Sequence, residues 1–175
     1  MAFLDPQAVL ENFGIQEGST VADLGAGSGF YTMAAVRMVG TGRVYAVDVQ
    51  QDLLTRLQNT ARAAKITNIS VLHGDMERPG GTRLQDGSVD SAIISNVLFQ
   101  VEQKESFVKE VKRILKSGGK ALVIDWSDSF NSMGPEEKLV VTESAARSLF
   151  EKAGFEFVNS IDAGDNHYGL VYRKP

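Results

Sequence analysis

The sequence predicts an α/β fold, a doubly wound, mostly parallel seven-stranded sheet with helices on both faces and a C-terminal antiparallel hairpin strand. Three observations carry this expectation. Short runs of β-branched and apolar residues alternate with stretches of helical periodicity along the chain. A glycine-dense turn joins the first strand-like run to a helix, and the last two strand-like runs follow one another with no helix between them. Parallel neighbours need crossover connections, so the alternation implies helices covering both faces of a parallel sheet, and the terminal pair implies one antiparallel strand.

Each element has its own local reason. Asp5 and Pro6 have the chemistry of an N-cap and a first helical residue, which starts a helix through about Phe13, with Gly14 as its stop. Thr20 to Leu24 is the first strand. The glycine turn follows, then a helix from Phe30 to Met38 that Gly40 and Gly42 break. Arg43 to Val47 is the second strand, and Gln51 to Ala64 is helical with Leu53, Leu54, Leu57 and Ala61 on one stripe. Ile69 to Leu72 is a third strand running into His73-Gly74-Asp75. The turn at Asp86-Gly87 precedes Val89 to Ser95, whose apolar run suits a strand buried on both faces. Glu105 to Leu115 is a helix with Phe107, Val108, Val111, Ile114 and Leu115 inward, and Ser117-Gly118-Gly119 turns the chain into strand Ala121 to Asp125. Thr142 to Ala153 reads as a capped helix ended by Gly154. Phe155 to Ile161 and Tyr168 to Tyr172 are two strands joined by Asp162 to His167.

Composition narrows the function classes. A chain of 175 residues, 43% hydrophobic and 23% charged, with no linker or repeat, fits one soluble domain spanning residues 1–175. No apolar run approaches the roughly 20 residues of a membrane span, and the opening Met1-Ala2-Phe3-Leu4-Asp5-Pro6 has no export signature, so a cytoplasmic location is expected. Without cysteine there is neither a disulfide nor a thiolate zinc site, and His73 and His167 stand far apart, so no metal is expected. A formal net charge of -4 provides no basic footprint for nucleic acid.

The stretch that carries chemistry is Val21-Ala22-Asp23-Leu24-Gly25-Ala26-Gly27-Ser28-Gly29-Phe30. Glycines at alternate positions permit positive φ and let a ligand lie against bare backbone. Asp23 ends the first strand and Asp48 ends the second, where it is placed to accept hydrogen bonds from ribose hydroxyls. With Asp23, Gly25, Gly27 and Gly29 matching Asp-x-Gly-x-Gly-x-Gly, the chain resembles the class I S-adenosylmethionine-dependent methyltransferases. The likeness runs from about Leu10 to Glu156 and is nearest in pattern to the small-molecule branches, including quinone biosynthesis and the type 11 methyltransferases.

The resemblance implies that S-adenosylmethionine is the cofactor and S-adenosylhomocysteine the product. It further implies that Asp23 faces the methionine end, that the turn containing Ala26 passes beneath methionine and ribose, and that Asp48 and Val49 lie at the ribose. Asp75 would contact the adenine amino group, with Gly74 beside it among the cofactor-binding residues, Met76 would present its N–H to an adenine ring nitrogen, and Asn96 would end the fourth strand beside the ligand. Asp90, at the opposite end of that strand, is structural on this reading. A dinucleotide site usually has Gly-x-Gly-x-x-Gly and faces phosphate with a helix N-terminus, where Asp23 would repel the anion. A sulfonium suits the acidic residue better, which disfavours a nicotinamide-dependent oxidoreductase.

Methyl transfer is an in-line displacement at a carbon already activated by positive sulfur, so alignment supplies much of the rate and no nucleophilic residue is required. Where the acceptor must lose a proton, a base is needed at the C-terminal ends of the strands. Asn96, Gln100, Asp125, Trp126, Asp128, Asp165, His167 and Tyr168 fall there. The terminal hairpin should bring His167 and Tyr168 to the cofactor rim, so both are catalytic candidates in contact with the acceptor. Trp126 is placed to cover the acceptor or to pack on its own loop, and His73 is structural.

Ser95-Asn96-Val97-Leu98-Phe99-Gln100 stands where enzymes that methylate base or glutamine amino groups carry Asn-Pro-Pro-Tyr, and the lack of cysteine rules out arsenite chemistry. A small-molecule acceptor is therefore expected. With only about nineteen residues before the first strand, an open acceptor site is also expected. Such a site leaves room for a protein or RNA acceptor, or for a cofactor-binding accessory module without catalysis.

Overall fold

The computed structural model describes residues 4–130 and 133–175; the opening Met1-Ala2-Phe3 of the export argument lies outside them. Strands β1 (Thr20–Leu24), β2 (Arg43–Asp48), β3 (Ile69–His73), β4 (Val89–Ser95), β5 (Leu115–Trp126), β6 (Glu156–Ile161) and β7 (His167–Arg173) form one sheet. Their order is β3-β2-β1-β4-β5-β7-β6. Only β7 runs against its neighbours, pairing antiparallel with both β5 and β6. The expected doubly wound sheet with its single antiparallel strand is therefore the fold.

Among the described residues five α-helices cover the sheet: α1 (Pro6–Phe13), α2 (Phe30–Met38), α3 (Gln51–Ala63), α4 (Lys104–Ile114) and α5 (Glu143–Lys152). Strand residues alternate between two apolar layers, as the period of two requires. On one face Val21, Val44, Ile93 and Leu122 pack against Leu10 and Phe13 of α1 and Ala35 of α2, while Ala46 meets Leu57 of α3. On the other, Ala22, Ala92, Ile94 and Val123 pack with Phe107 and Val111 of α4 and Phe150 of α5. Phe150 stacks on Tyr172 of β7 at 4.6 Å between ring centroids, which fastens the terminal hairpin to the helical layer. Among the described residues no helix is long and apolar enough to cross a membrane.

The caps read from the sequence are present. Asp5 accepts from Gln7 N, and Gly14 ends α1 in the left-handed region. Thr142 accepts from Ala145 N at the start of α5. Thr142→Ala is expected to cost about 1 kcal/mol, the usual worth of such a cap. Thermal unfolding should record it as a fall in Tm of about 2–4 °C.

The largest departure from the expected elements is at Ser117-Gly118-Gly119. These residues form a bulge inside β5 rather than a turn before it: Leu115 already pairs with Val89, and the register resumes at Ser91 with Lys120. The bulge persists because Gly118 N donates to Lys174 O at 2.7 Å and Lys174 N to Gly119 O at 2.9 Å, so the C-terminal residues pair with the turn.

One buried charge organises the approach to β4. Glu110 on α4 is 2% exposed and accepts from the Gly80 and Thr82 amides, the Thr82 hydroxyl and the Arg113 guanidinium. Although burial acts to raise its pKa, the hydrogen bonds from Arg113 and Thr82 and the two amides win, holding the carboxyl at about 2.

Candidate active site

The strand order reverses between β1 and β4, which opens a crevice beyond their C-terminal ends, the usual ligand position in open α/β sheets. A cavity of about 800 Å³ lies there. Its wall includes Asp23, Gly25, Ala26, Gly27, Asp48, Val49, Asp75, Met76, Asn96, Gln100, Trp126, Asp165 and His167. The C-terminal ends of β1 to β5 and the β6–β7 connection thus bring together residues that are far apart in sequence.

The glycine turn divides its work. Gly25 and Gly27 stand in the wall, both with positive φ, at 77° and 54°. A Cβ on Gly27 would find no heavy atom closer than 4.0 Å, so it would enter open space. Gly29 is outside the wall. A Cβ there would sit 2.3 Å from Leu57 Cδ1, so this position serves the packing of α2 against α3. Gly74 is also outside it, because a Cβ would meet Gly81 O at 2.3 Å and force apart the loop after β3. Those two glycines shape the site from behind, a correction to the expectation that they touch the ligand.

Asp48 ties the turn to β2. Its Oδ2 accepts from Gly27 N at 2.8 Å and its Oδ1 from Gln50 N at 2.9 Å, and each carboxylate oxygen retains capacity for a second donor. Asp23 is 2% exposed and accepts from the Thr32 hydroxyl of α2 at 2.5 Å. Burial is the main cause that pushes its carboxyl up to about 6, and the Asp48 charge adds to it. Asp75 accepts from Glu77 N at 3.1 Å and pairs with Arg78 at 2.9 Å in an exposed setting.

Aromatic residues share the wall with these carboxylates. Phe30 and Tyr31 from the start of α2 line the cavity with Trp126 and His167, and Leu4 and Ile124 add apolar wall. Trp126 and His167 are register partners on β5 and β7, with ring centroids 4.3 Å apart. Asn96 has a positive φ of 57°, and its Oδ1 is buried without a hydrogen-bond partner among the described residues, as is His167 Nε2. The carboxylates of Asp23, Asp48, Asp75, Glu77 and Asp165 line the cavity, and no lysine or arginine does among the described residues.

Three sequence candidates lie elsewhere. Tyr168 alternates to the opposite face from His167, is 6% exposed, and donates its hydroxyl to Val141 O at 2.8 Å. It belongs to the core under α4 and α5, and the expectation that it meets the acceptor is corrected by the period of two along β7. Asp125 is fully buried and accepts from Leu98 N and Trp126 N, which organises the turn after β4. Asp128 is exposed, caps Ser129 N and is absent from the wall. Asp90 is structural as expected, accepting from Thr20 N and pairing with Lys116. The sequence reading passed over Phe30 and Tyr31, although a helix opening on two aromatics directly after a ligand-binding turn was a usable signal.

Comparison with known proteins finds similarity to methyltransferases. A family model described as a methyltransferase domain matches residues 22–123. The ubiquinone/menaquinone biosynthesis C-methyltransferase UbiE of Escherichia fergusonii is 33% identical over 83% of this chain and 70% of its own length. The demethylmenaquinone methyltransferase of Staphylococcus aureus is 31% identical over 68% of this chain, and the chain spans about half of that relative, 48%. A crystal structure of a SAM dependent methyltransferase from Aquifex aeolicus superposes with a TM-score of 0.89 at 29% identity, covering 97% of this chain and 89% of that one.

Proposed function

We propose, since this chain belongs to the class I S-adenosylmethionine-dependent methyltransferases, that its cavity holds the cofactor against the carboxylates and the glycine turn, and beside it a small aromatic acceptor. The observation that carries the reading is the wall itself, which combines carboxylates and bare glycine backbone with the aromatic rings of Phe30, Tyr31 and Trp126. A cationic sulfonium and an ammonium suit a wall without lysine or arginine, whereas a pyrophosphate does not. Gly27, whose side-chain direction is open space, makes room for the nucleoside. Asp23 would take the ammonium, Asp48 the ribose hydroxyls, and Asp75 with Met76 the adenine. Asn96 stands in the wall beside them.

When bound, S-adenosylmethionine supplies an electrophilic methyl group on positive sulfur. The protein's part is then to position the acceptor, exclude water and accept a proton where one must leave. The aromatic wall and the names of the two quinone-pathway relatives favour a planar ring of the quinone-precursor kind as acceptor. Incubating the protein with methyl-labelled cofactor and size-fractionated cell extract tests this. Label in small aromatic metabolites is expected, and label confined to protein or RNA, or no transfer at all, would contradict it.

The Asp23 shift gives a pH dependence with a defined sign. Ammonium binding needs the ionised carboxylate, and in the empty protein Asp23 protonates below about 6. Affinity for S-adenosylhomocysteine is expected to be constant above about pH 7 and to weaken toward tenfold per pH unit below 6. The empty protein responds oppositely. Asp23 and Asp125 both have native values raised from 3.8 to about 6, so their contribution to stability declines as pH rises between those values. Calorimetric titrations from pH 5 to 8 check the first statement; an affinity flat across about pH 5–7 would remove Asp23 from the ammonium role.

A further inference from the structure

We propose that β3 is the contact edge of a symmetric dimer, in which the β3 strands of two copies of this chain pair antiparallel about Val71 and join the two sheets into one. This goes beyond the methyltransferase reading and does not rest on it.

The two edges of the sheet differ. β6 is blunted in the ways that keep an exposed edge from pairing: its register with β7 shifts between Phe157 and Asn159, and a charged pair, Glu156 with Arg173, stands at its start. β3 has neither device. Its register with β2 runs unbroken from Ile69 to His73, and Ile69-Ser70-Val71-Leu72-His73 contains no proline, lysine, arginine or carboxylate. Val44 N donates to Asn68 O and Gly74 N to Asp48 O, which fixes the phase of the ladder. Ser70 and Leu72 therefore turn their backbone groups toward β2, while Ile69, Val71 and His73 turn theirs outward. Ile69, Val71 and Leu72 are apolar yet only half-buried. Beside them lies a groove of about 420 Å³, whose lining includes Gln58, Ala61 and Arg62 of α3 with Ile66, Ile69 and Val71.

Three outward residues at a spacing of two are self-complementary about the middle one. In an antiparallel pair Val71 meets its own counterpart and Ile69 meets the counterpart of His73, each pair exchanging both backbone hydrogen bonds. The contact is two-fold and closed. Its axis stands perpendicular to the sheet, so both α3 helices lie on one face and run antiparallel across the seam. The charges of α3 fit that direction. Asp52 lies in its first turn and Arg62 in its last, with Lys65 just beyond. All three are exposed, and none has an ion-pair partner among the described residues. Asp52 and Arg62 stand about 15 Å apart along the helix, too far to pair within one chain. Antiparallel alignment brings the acidic end of one α3 to the basic end of the other. Parallel alignment would set like ends together and leave the assembly open. A partner of one charge sign would match only one end of the edge, whereas a second copy matches both.

Analytical ultracentrifugation and amide exchange followed by NMR test this on the unaltered protein. Sedimentation is expected to show a monomer–dimer equilibrium. The Ile69, Val71 and His73 amides should exchange more slowly in concentrated than in dilute protein, while those of Ser70 and Leu72, already bonded to β2, stay unchanged. A monomer at every concentration, or a dimer in which the three outward amides gain no protection, would overturn the proposal. Val71→Pro removes an outward N–H and no bond to β2, so it should raise the dimer dissociation constant by about tenfold or more. Charge exchange on the helix surface keeps the question open to test should that variant not fold. Arg62→Glu alone and Asp52→Lys alone should each weaken the dimer by roughly fivefold, and the double variant should recover most of the loss. Losses that simply add in the double variant would overturn the antiparallel alignment.

Discussion

Gly27→Asn is expected to abolish measurable cofactor binding, with at least a hundredfold loss of affinity, while the protein remains folded. The reasoning separates two roles that glycine combines. Its φ of 54° is left-handed, a region that asparagine tolerates better than other side chains, so the backbone cost should stay near or below about 1 kcal/mol. The Gly27 amide that donates to Asp48 Oδ2 is retained. The new side chain, however, projects where no protein atom lies within 4.0 Å, into the space assigned to the nucleoside. Calorimetry with S-adenosylhomocysteine and a thermal melt on the same sample give both quantities. Affinity within threefold of wild type would show that the cofactor does not lie against this turn.

Glu110→Ala should be the most destabilising single change, by about 3–5 kcal/mol, the range for removing one partner from a buried charged network. The variant leaves the Gly80 and Thr82 amides without their acceptor and the Arg113 guanidinium with only Asp86 as a charged partner. The effect carries a pH signature. Glu110 has a native value near 2 against 4.5 for an unperturbed carboxyl, so its contribution is complete above about 4.5 and disappears as pH falls toward 2. Urea unfolding at pH 7 and pH 3 should show the gap between wild type and variant narrowing at the lower pH. A gap of less than 1 kcal/mol at pH 7, or one that widens in acid, would contradict this account.

The strands and helices were legible because each has a local cause. Gly14 and Gly154 stop helices, Thr142 caps one, and the β-branched runs fall where the strands lie. The acidic strand ends were legible for the same reason, since Asp23 and Asp48 stand at fixed offsets from the glycine turn. Side-chain facing at the terminal hairpin was not. His167 and Tyr168 are adjacent, so at most one can face the cavity, and which one is set by the antiparallel register of β7 against β5 that places His167 beside Trp126. The role of Gly29 was hidden too, because the neighbour that requires it, Leu57, comes from a helix about thirty residues on. Glu110 could have been found. It shares the buried stripe of α4 with Phe107 and Ile114, three residues after one and four before the other, and a carboxylate on such a stripe needs partners.

The central claim is that the acidic, glycine-floored cavity between β1 and β4 binds an S-adenosyl nucleoside rather than a dinucleotide. Parallel calorimetric titrations of the unaltered protein with S-adenosylhomocysteine and with NAD at pH 7.5 test it most directly. Saturable binding of S-adenosylhomocysteine at one site per chain, with no heat from NAD, is the predicted result. Binding of NAD with none of S-adenosylhomocysteine would contradict it.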